Sequence, residues 1–249
     1  MAKPIYLTVA AICYAAFFAA FVYLIGFVAG FPGLPTTVDA NPYRGLAAPP
    51  ATAVLIDLGL IALFGVQHSV MARPGFKAAW TRIVPGPIER SVYCLASALV
   101  LALLYMFWQP ILTPVWTIQN PALRAVVWGL FGLGWAIVFL STWLINHFEL
   151  FGLAQVWRHW RGSEAGPARL TTPLFYRVVR HPLYSGFLLA FWAAPTMTLG
   201  HLLLAAGMTV YVLIAIRYEE RDLVGVFGAD YEDYRRRVGT LVPGVGKRG

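Results

Sequence analysis

The sequence predicts an all-α polytopic membrane helix bundle: four spanning helices plus a C-terminal helical hairpin, five to six membrane segments in all. Three observations carry this. The 249 residues are 59% hydrophobic and 12% charged, half the charged share of about 25% in ordinary soluble domains. Several apolar runs approach 20 residues, the length that crosses a hydrocarbon core of about 30 Å as a helix. The remaining charges gather in alternate connections, the pattern that orients a multi-pass chain.

The first run, residues 5–31, follows one lysine, Lys3. It is too long for a signal-peptide core and lacks a small-residue cleavage site, so a retained first helix is expected. The next runs are 54–71, 91–108 and 123–146. The last two, 184–199 and 201–217, are short and joined by Gly200. They predict a hairpin packed inside the protein.

Charge assigns the sides. The connection after the second run holds Arg73, Lys77, Arg82 and Arg90, and residues 148–183 hold Arg158, Arg161, Arg169, Arg177 and Arg180. The tail holds Arg217, Arg221, Arg235, Arg236, Arg237, Lys247 and Arg248, whereas 32–53 and 109–122 hold only Arg44. The alternation predicts both termini in the cytoplasm. It also accounts for the net charge of +8 without a nucleic-acid partner; membrane lipid is the expected one.

Cys13 and Cys94 both lie inside apolar runs, with no Cys or His at metal spacing. Neither a disulfide framework nor a metal site is expected. No repeat or linker divides the chain, so one integral membrane domain is expected over 1–249. Composition shifts after Asn146, which separates a membrane scaffold (1–146) from a functional half (147–249). The proline-rich outer connections read as helix closures.

The densest cationic cluster, "RVVRHPLYSGF" at 177–187, stands against the start of the hairpin. Pro182 disfavours helix at His181 and suits the first turn of a helix starting there. Such a helix presents unused N–H groups and a partial positive charge. With Arg177 and Arg180 it forms a seat for a carboxylate or phosphate; an interfacial anchor is the plainer reading. Tyr184 and Gly186 fall in the first turn, as an aromatic wall and a point of close approach.

"YEERDL" at 218–223 closes the last run. Glu219 and Glu220 are adjacent and so point about 100° apart on a helix. One suits an arginine, the other a ligand. The hairpin returns this pair to the face that carries "RHP". An anion seat beside carboxylates is what a zwitterionic or sugar-bearing cofactor needs. In "GADYEDYRRRV", Asp230 reads as an N-cap, and Tyr231, Tyr234 and Val238 share one face. Gln67, His68 and Arg73 end the second run; Asn146, His147, Glu149 and Gln155 follow the fourth. Ionisable groups at membrane depth are candidates for function. His147 and Glu149 are two apart and face opposite ways on a helix, but His68 and His147 end on one side of the membrane. Asp57, near the outer end of the second run, reads as structural.

"RHPLYSG", then "EERDL" and the spaced tyrosines, resembles the isoprenylcysteine carboxyl methyltransferase superfamily of integral membrane enzymes. The run "RLTTPLFYRVVRHPLYSG" is similar to that superfamily too, except that it commonly has a glycine where Pro173 or Leu174 stands. "QHSVMARPGFK", "ERSVY", "NHFELFGLAQVW", "AFWAAPTMTLGHLL" and "EERDLVGVFGADYEDYR" resemble its branch that methylates methanethiol to dimethyl sulfide in the bacterial inner membrane. The resemblance implies S-adenosylmethionine as cofactor and a small-molecule thiol as substrate. It implies cofactor contacts from Pro182, Tyr184, Gly186, Glu219, Glu220, Tyr231 and Tyr234, and secondarily from Leu170, His181 and Gln155. Arg180 is expected to hold the cofactor carboxylate, and Arg180 or Arg73 to aid the thiolate electrostatically. A tyrosine can meet the sulfonium by cation–π contact. A thiol must lose its proton to attack, which points to His147 and His68 as bases. Arg73, Asn146 and Glu149 are expected beside the substrate.

Three other functions stay open. One is methylation of an isoprenyl-cysteine carboxylate or another lipid-soluble thiol. A transporter would leave "RHP" and "EER" as anchors only. A membrane reductase is the third, although no Gly-rich dinucleotide fingerprint is present.

Overall fold

The computed structural model describes residues 2–42, 48–164, 166–167 and 169–247. Arg44 and Arg248, two of the charges that orient the chain, lie outside the described residues. The helices are α1 (Ala2–Ala29), α2 (Pro50–Met71), α3 (Pro74–Trp80), α4 (Gly86–Phe107), α5 (Pro121–Ile145), α6 (His147–Leu150), α7 (Leu153–Arg161), α8 (Pro182–Trp192), α9 (Leu199–Phe227) and α10 (Ala229–Arg237). A 3₁₀ turn covers Leu174–Arg177, and short strands β1 (Pro114–Thr117) and β2 (Thr196–Thr198) flank α5 and α9. Five helices, α1, α2, α4, α5 and α9, are long and apolar enough to cross a membrane.

Proline sets where helices begin. Pro50, Pro74, Pro121 and Pro182 open α2, α3, α5 and α8, and Pro87 is second in α4. A first-turn proline forfeits no intrahelical bond and its fixed φ already suits the helix. Asn120 adds a side-chain cap on α5, accepting from Ala122 N at 2.9 Å and Leu123 N at 3.1 Å.

The hairpin differs from expectation in both arms. The first, α8, has 11 residues, and the second, α9, has 29. Pro195 stops the first by excluding helix from the residue before it. Gly200 is not the hinge; it lies inside α9, where a Cβ would sit 3.0 Å from Ile111 N. The turn is residues 193–198 instead. The segment "YEERDL" lies within α9 rather than at its end, because its residues are good helix formers. The helix runs on to Gly228, whose φ of +54° breaks it. Gly228 also takes the cap position of α10, so Asp230 lies in that helix's first turn and is not its N-cap.

The chain forms two compact units. The first comprises Met1–Val115, Phe148–Gly166 and Thr198–Leu204; the second comprises Trp116–His147, Pro167–Met197 and Ala205–Gly249. In the first, α4 packs against α1 and α2, and α7 against α1 and α4. Tyr105 donates to the Ala20 carbonyl at 2.9 Å. Asp57 is fully buried and accepts the Gln109 N–H at 2.8 Å, a structural use. Along α2, Ala53, Asp57, Ile61 and Phe64 form one buried stripe. Leu55, Leu58, Leu63, Val66 and Val70 stay exposed. A helix apolar on its outer face as well is suited to lipid.

The second unit is organised on α5 and α8. They approach so closely that a Cβ on Gly134 would lie 2.7 Å from Gly186 O, and one on Gly186 2.6 Å from Gly134 O. Gly186 therefore serves helix contact. Trp135 fills the same seam, edge-on to Phe187 and Phe191.

Candidate active site

The start of α8 is built by the tail. The Arg180 N–H donates to Gly239 O at 2.8 Å and the His181 N–H to Thr240 O at 3.1 Å. The Ser185 hydroxyl donates to Leu241 O at 2.7 Å. The tail must turn sharply there, and a Cβ on Gly239 would meet Gly244 N at 2.8 Å. These bonds hold Pro182, which is buried, and His181 at the mouth of the helix.

Arg180 is fully employed. Its Nε donates to Glu220 Oε1 at 2.7 Å. Nη1 donates to the carbonyls of Arg235, at 3.2 Å, and Val238. Nη2 donates to Thr240 Oγ1 at 2.8 Å and Gly246 O at 3.2 Å. A guanidinium has five N–H donors, and these five acceptors use all of them. Read from the sequence as a clamp for a ligand carboxylate, Arg180 is here the clasp of the protein's own tail.

The two glutamates diverge as their 100° offset requires. The Glu220 side chain is 4% exposed and accepts from Arg180, lies 3.3 Å from His181 Nε2, and pairs with Arg235 at 3.5 Å. The Glu219 side chain is 43% exposed, with Oε2 at 3.9 Å from His181 Nδ1. A partly solvated carboxylate thus stands beside the start of α8, and the Tyr184 ring lies 5.7 Å from that of His181. Leu170 is half-buried. Tyr231 and Tyr234 are buried, and the Tyr234 hydroxyl donates to the Tyr176 carbonyl. Burial pushes both phenols up, Tyr234 to about 12. They pack α10 in place.

His147 belongs to the same unit. Asn146 ends α5 in the left-handed region, with φ +93°, and turns the next residue back toward Thr142. His147 Nδ1 lies 2.8 Å from Thr142 Oγ1, and the ring stacks on Trp143 at 4.6 Å and 12°. Burial lowers its pKa, so the imidazole is neutral at pH 7.

The remaining sequence candidates lie in the first unit. His68 Nδ1 is 3.1 Å from Ser97 Oγ. Arg73 Nε donates to Ser69 O at 3.1 Å. Both oxygens of Glu149 accept from Arg158, one of them at 2.8 Å. Gln155 Nε2 donates to Glu149 O at 2.9 Å, and its Oε1 is buried with no partner among the described residues. Among the described residues no group of three or more metal-ligating side chains gathers.

Sequence reasoning missed Thr142, Ser97, Gly239, Thr240 and Arg235 as parts of these arrangements. The arginine run and the N-H-x-E stretch mark their neighbourhood, but no local pattern pairs them.

The chain is similar along most of its length to several known proteins. The methanethiol S-methyltransferase of Mycobacterium tuberculosis is 50% identical over 240 residues, 96% of each chain. That of Crocosphaera subtropica is 48% identical over 236 residues, 95% of this chain and 91% of that protein. Human nurim is 34% identical over 208 residues, 77% of this chain and 78% of nurim. No family model and no solved structure matches the chain.

Proposed function

The chain belongs to the methanethiol S-methyltransferase family, and we propose that it methylates methanethiol to dimethyl sulfide with S-adenosylmethionine as the methyl donor. The full-length likeness to those enzymes carries this reading. We further assign the site to the cytoplasmic side of a bacterial inner membrane, with both termini on that side. The arginines and lysines of the alternate connections support that orientation.

The cofactor's groups fit residues of the second unit. The solvated Glu219 carboxylate suits an amine or ribose hydroxyls. First-turn N–H groups of α8, which a helix does not use itself, suit a carboxylate, with His181 and Pro182 shaping that turn. Tyr184 offers a ring to the adenine or the sulfonium. Arg180 and Glu220 act here as positioning residues: they hold the tail and the helix start. Tyr231, Tyr234 and Gly186 contribute by packing.

When bound, S-adenosylmethionine supplies an electrophilic methyl group on a sulfonium. His147 takes the thiol proton, for which its neutral state at pH 7 is suited; His68, in the first unit, is the alternative residue for that role. Trp143 and Phe139 flank His147 and exclude water, which would otherwise stabilise the separated charges of the reactants. Asn146 and Leu170, of the same unit, are assigned to the thiol and to the cofactor respectively.

The test is to incubate purified protein in nanodiscs with S-adenosylmethionine and methanethiol, then assay the headspace. Dimethyl sulfide is the expected product. Its absence with cofactor binding intact removes the substrate assignment; absence of cofactor binding removes both.

A further inference from the structure

We propose that Thr142 and Ser97 lock His147 and His68 in the Nδ1–H tautomer, leaving Nε2 of each ring as the proton-accepting nitrogen. The available protons decide the tautomer. The Thr142 hydroxyl has one hydrogen, and it is 2.7 Å from the Phe139 carbonyl of its own helix, which can only accept. That hydrogen is therefore spent. Across the 2.8 Å contact to His147 Nδ1, Thr142 Oγ1 must accept, so Nδ1 carries the hydrogen. A neutral imidazole has one donor nitrogen and one acceptor, and the bond made by one nitrogen sets the state of the other.

The same arrangement recurs at His68 on different helices. Ser97 donates to the Tyr93 carbonyl at 3.0 Å. It accepts from Gln67 Nε2 at 3.4 Å and faces His68 Nδ1 at 3.1 Å. A hydroxyl has one hydrogen and two lone pairs. One donated bond and one accepted from Gln67 leave a single lone pair, which only an N–H on Nδ1 satisfies. Two unrelated helical hydroxyls, each bonded back to its own helix, thus impose one tautomer on both histidines.

The role of these tautomers in the reaction rests on the reading of the histidines as bases. The thiol S–H bond breaks, the proton goes to Nε2, and the electron pair stays on sulfur. The resulting imidazolium keeps its Nδ1–H bond to Thr142, so the ring need not turn. Thr142 is a positioning residue, acting through His147.

The test uses full-length protein in nanodiscs with ¹⁵N-labelled histidine. The chain has 5 histidines, so each is assignable with single His→Gln variants. Two-bond ¹H–¹⁵N spectra should show protonated Nδ1 and unprotonated Nε2 at both His147 and His68. Thr142→Val should disturb only His147, Ser97→Ala only His68, and Thr142→Ser should restore the wild-type pattern. The undisturbed histidine in each variant reports that the fold survives. Thr142→Val should also lower kcat about tenfold with little change in KM, within the share of rate that a positioned base supplies. An Nε2–H signal in the wild type, or an unchanged His147 in Thr142→Val, overturns the tautomer assignment. Unchanged turnover in both His147→Gln and His68→Gln overturns the proton transfer but leaves the spectra to decide the tautomers.

Discussion

Two arginine–carboxylate pairs, one in each unit, show how environment sets what a pair does. Arg180 and Glu220 have side chains 1% and 4% exposed. Arg158 and Glu149 are 27% and 38% exposed. The chemistry is the same, yet water screens only the second. Breaking a buried pair strands a charge and costs about 3–5 kcal/mol, whereas exposed pairs contribute about 0–1 kcal/mol. The buried pair also spends its remaining donors on the tail, so its loss would release the segment that shapes the start of α8.

The largest effect should come from Glu220→Gln, which strands Arg180. Thermal unfolding should report a loss of about 3–5 kcal/mol; a change under about 1 kcal/mol would mean the clasp is not built on this pair. Next, Glu219→Gln should leave stability within about 0.5 kcal/mol of wild type, as surface changes do. It should weaken S-adenosylmethionine binding roughly tenfold or more, the worth of a hydrogen bond to a charged group. Equal stability losses at the two adjacent glutamates would erase the contrast between them.

Leu174, itself exposed, offers a smaller test within the second unit. It opens the 3₁₀ turn that carries the Tyr176 carbonyl, and its φ is +38°. The left-handed region costs a side-chain-bearing residue about 1–2 kcal/mol, so Leu174→Gly should stabilise by about 1 kcal/mol, partly offset by a more flexible unfolded chain.

Arg158→Met should show the smallest effect, at most about 1 kcal/mol at pH 7. Its pH dependence has a definite sign. The Arg158 hydrogen bond holds the Glu149 carboxyl below the usual carboxylate range. A depressed pKa means the folded state prefers the charged form. The contribution is therefore full above the ordinary carboxylate value and fades as pH falls through the lowered one. Wild type and variant should converge in acid; divergence there would point to a different partner for Glu149.

Much of the fold was legible in the sequence. Four of the five long helices follow the apolar runs closely, and prolines mark five helix starts. The divergence of Glu219 from Glu220 follows from helical periodicity. The length of α9 was hidden because its apolar run stops near Arg217 while its helix does not; charged helix formers carry it to Phe227. Gly200 looked like a hinge because a glycine between two apolar runs commonly is one, whereas here it admits a neighbouring strand of backbone. Thr142 and His147 are five apart, no helical pairing, and meet only because Asn146 adopts a left-handed conformation.

Run length, charge position and the 3.6-residue period determine the membrane bundle and the separate directions of the two glutamates, because each acts within a few turns of chain. Which glutamate would be buried, and that Arg180 would have no donor left for a ligand, only the tertiary structure decided. The partners of Arg180 stand 40 to 66 residues away. Contacts at that separation leave no periodic trace, since they are selected by packing of the tail against α8 and α9 rather than by any local preference.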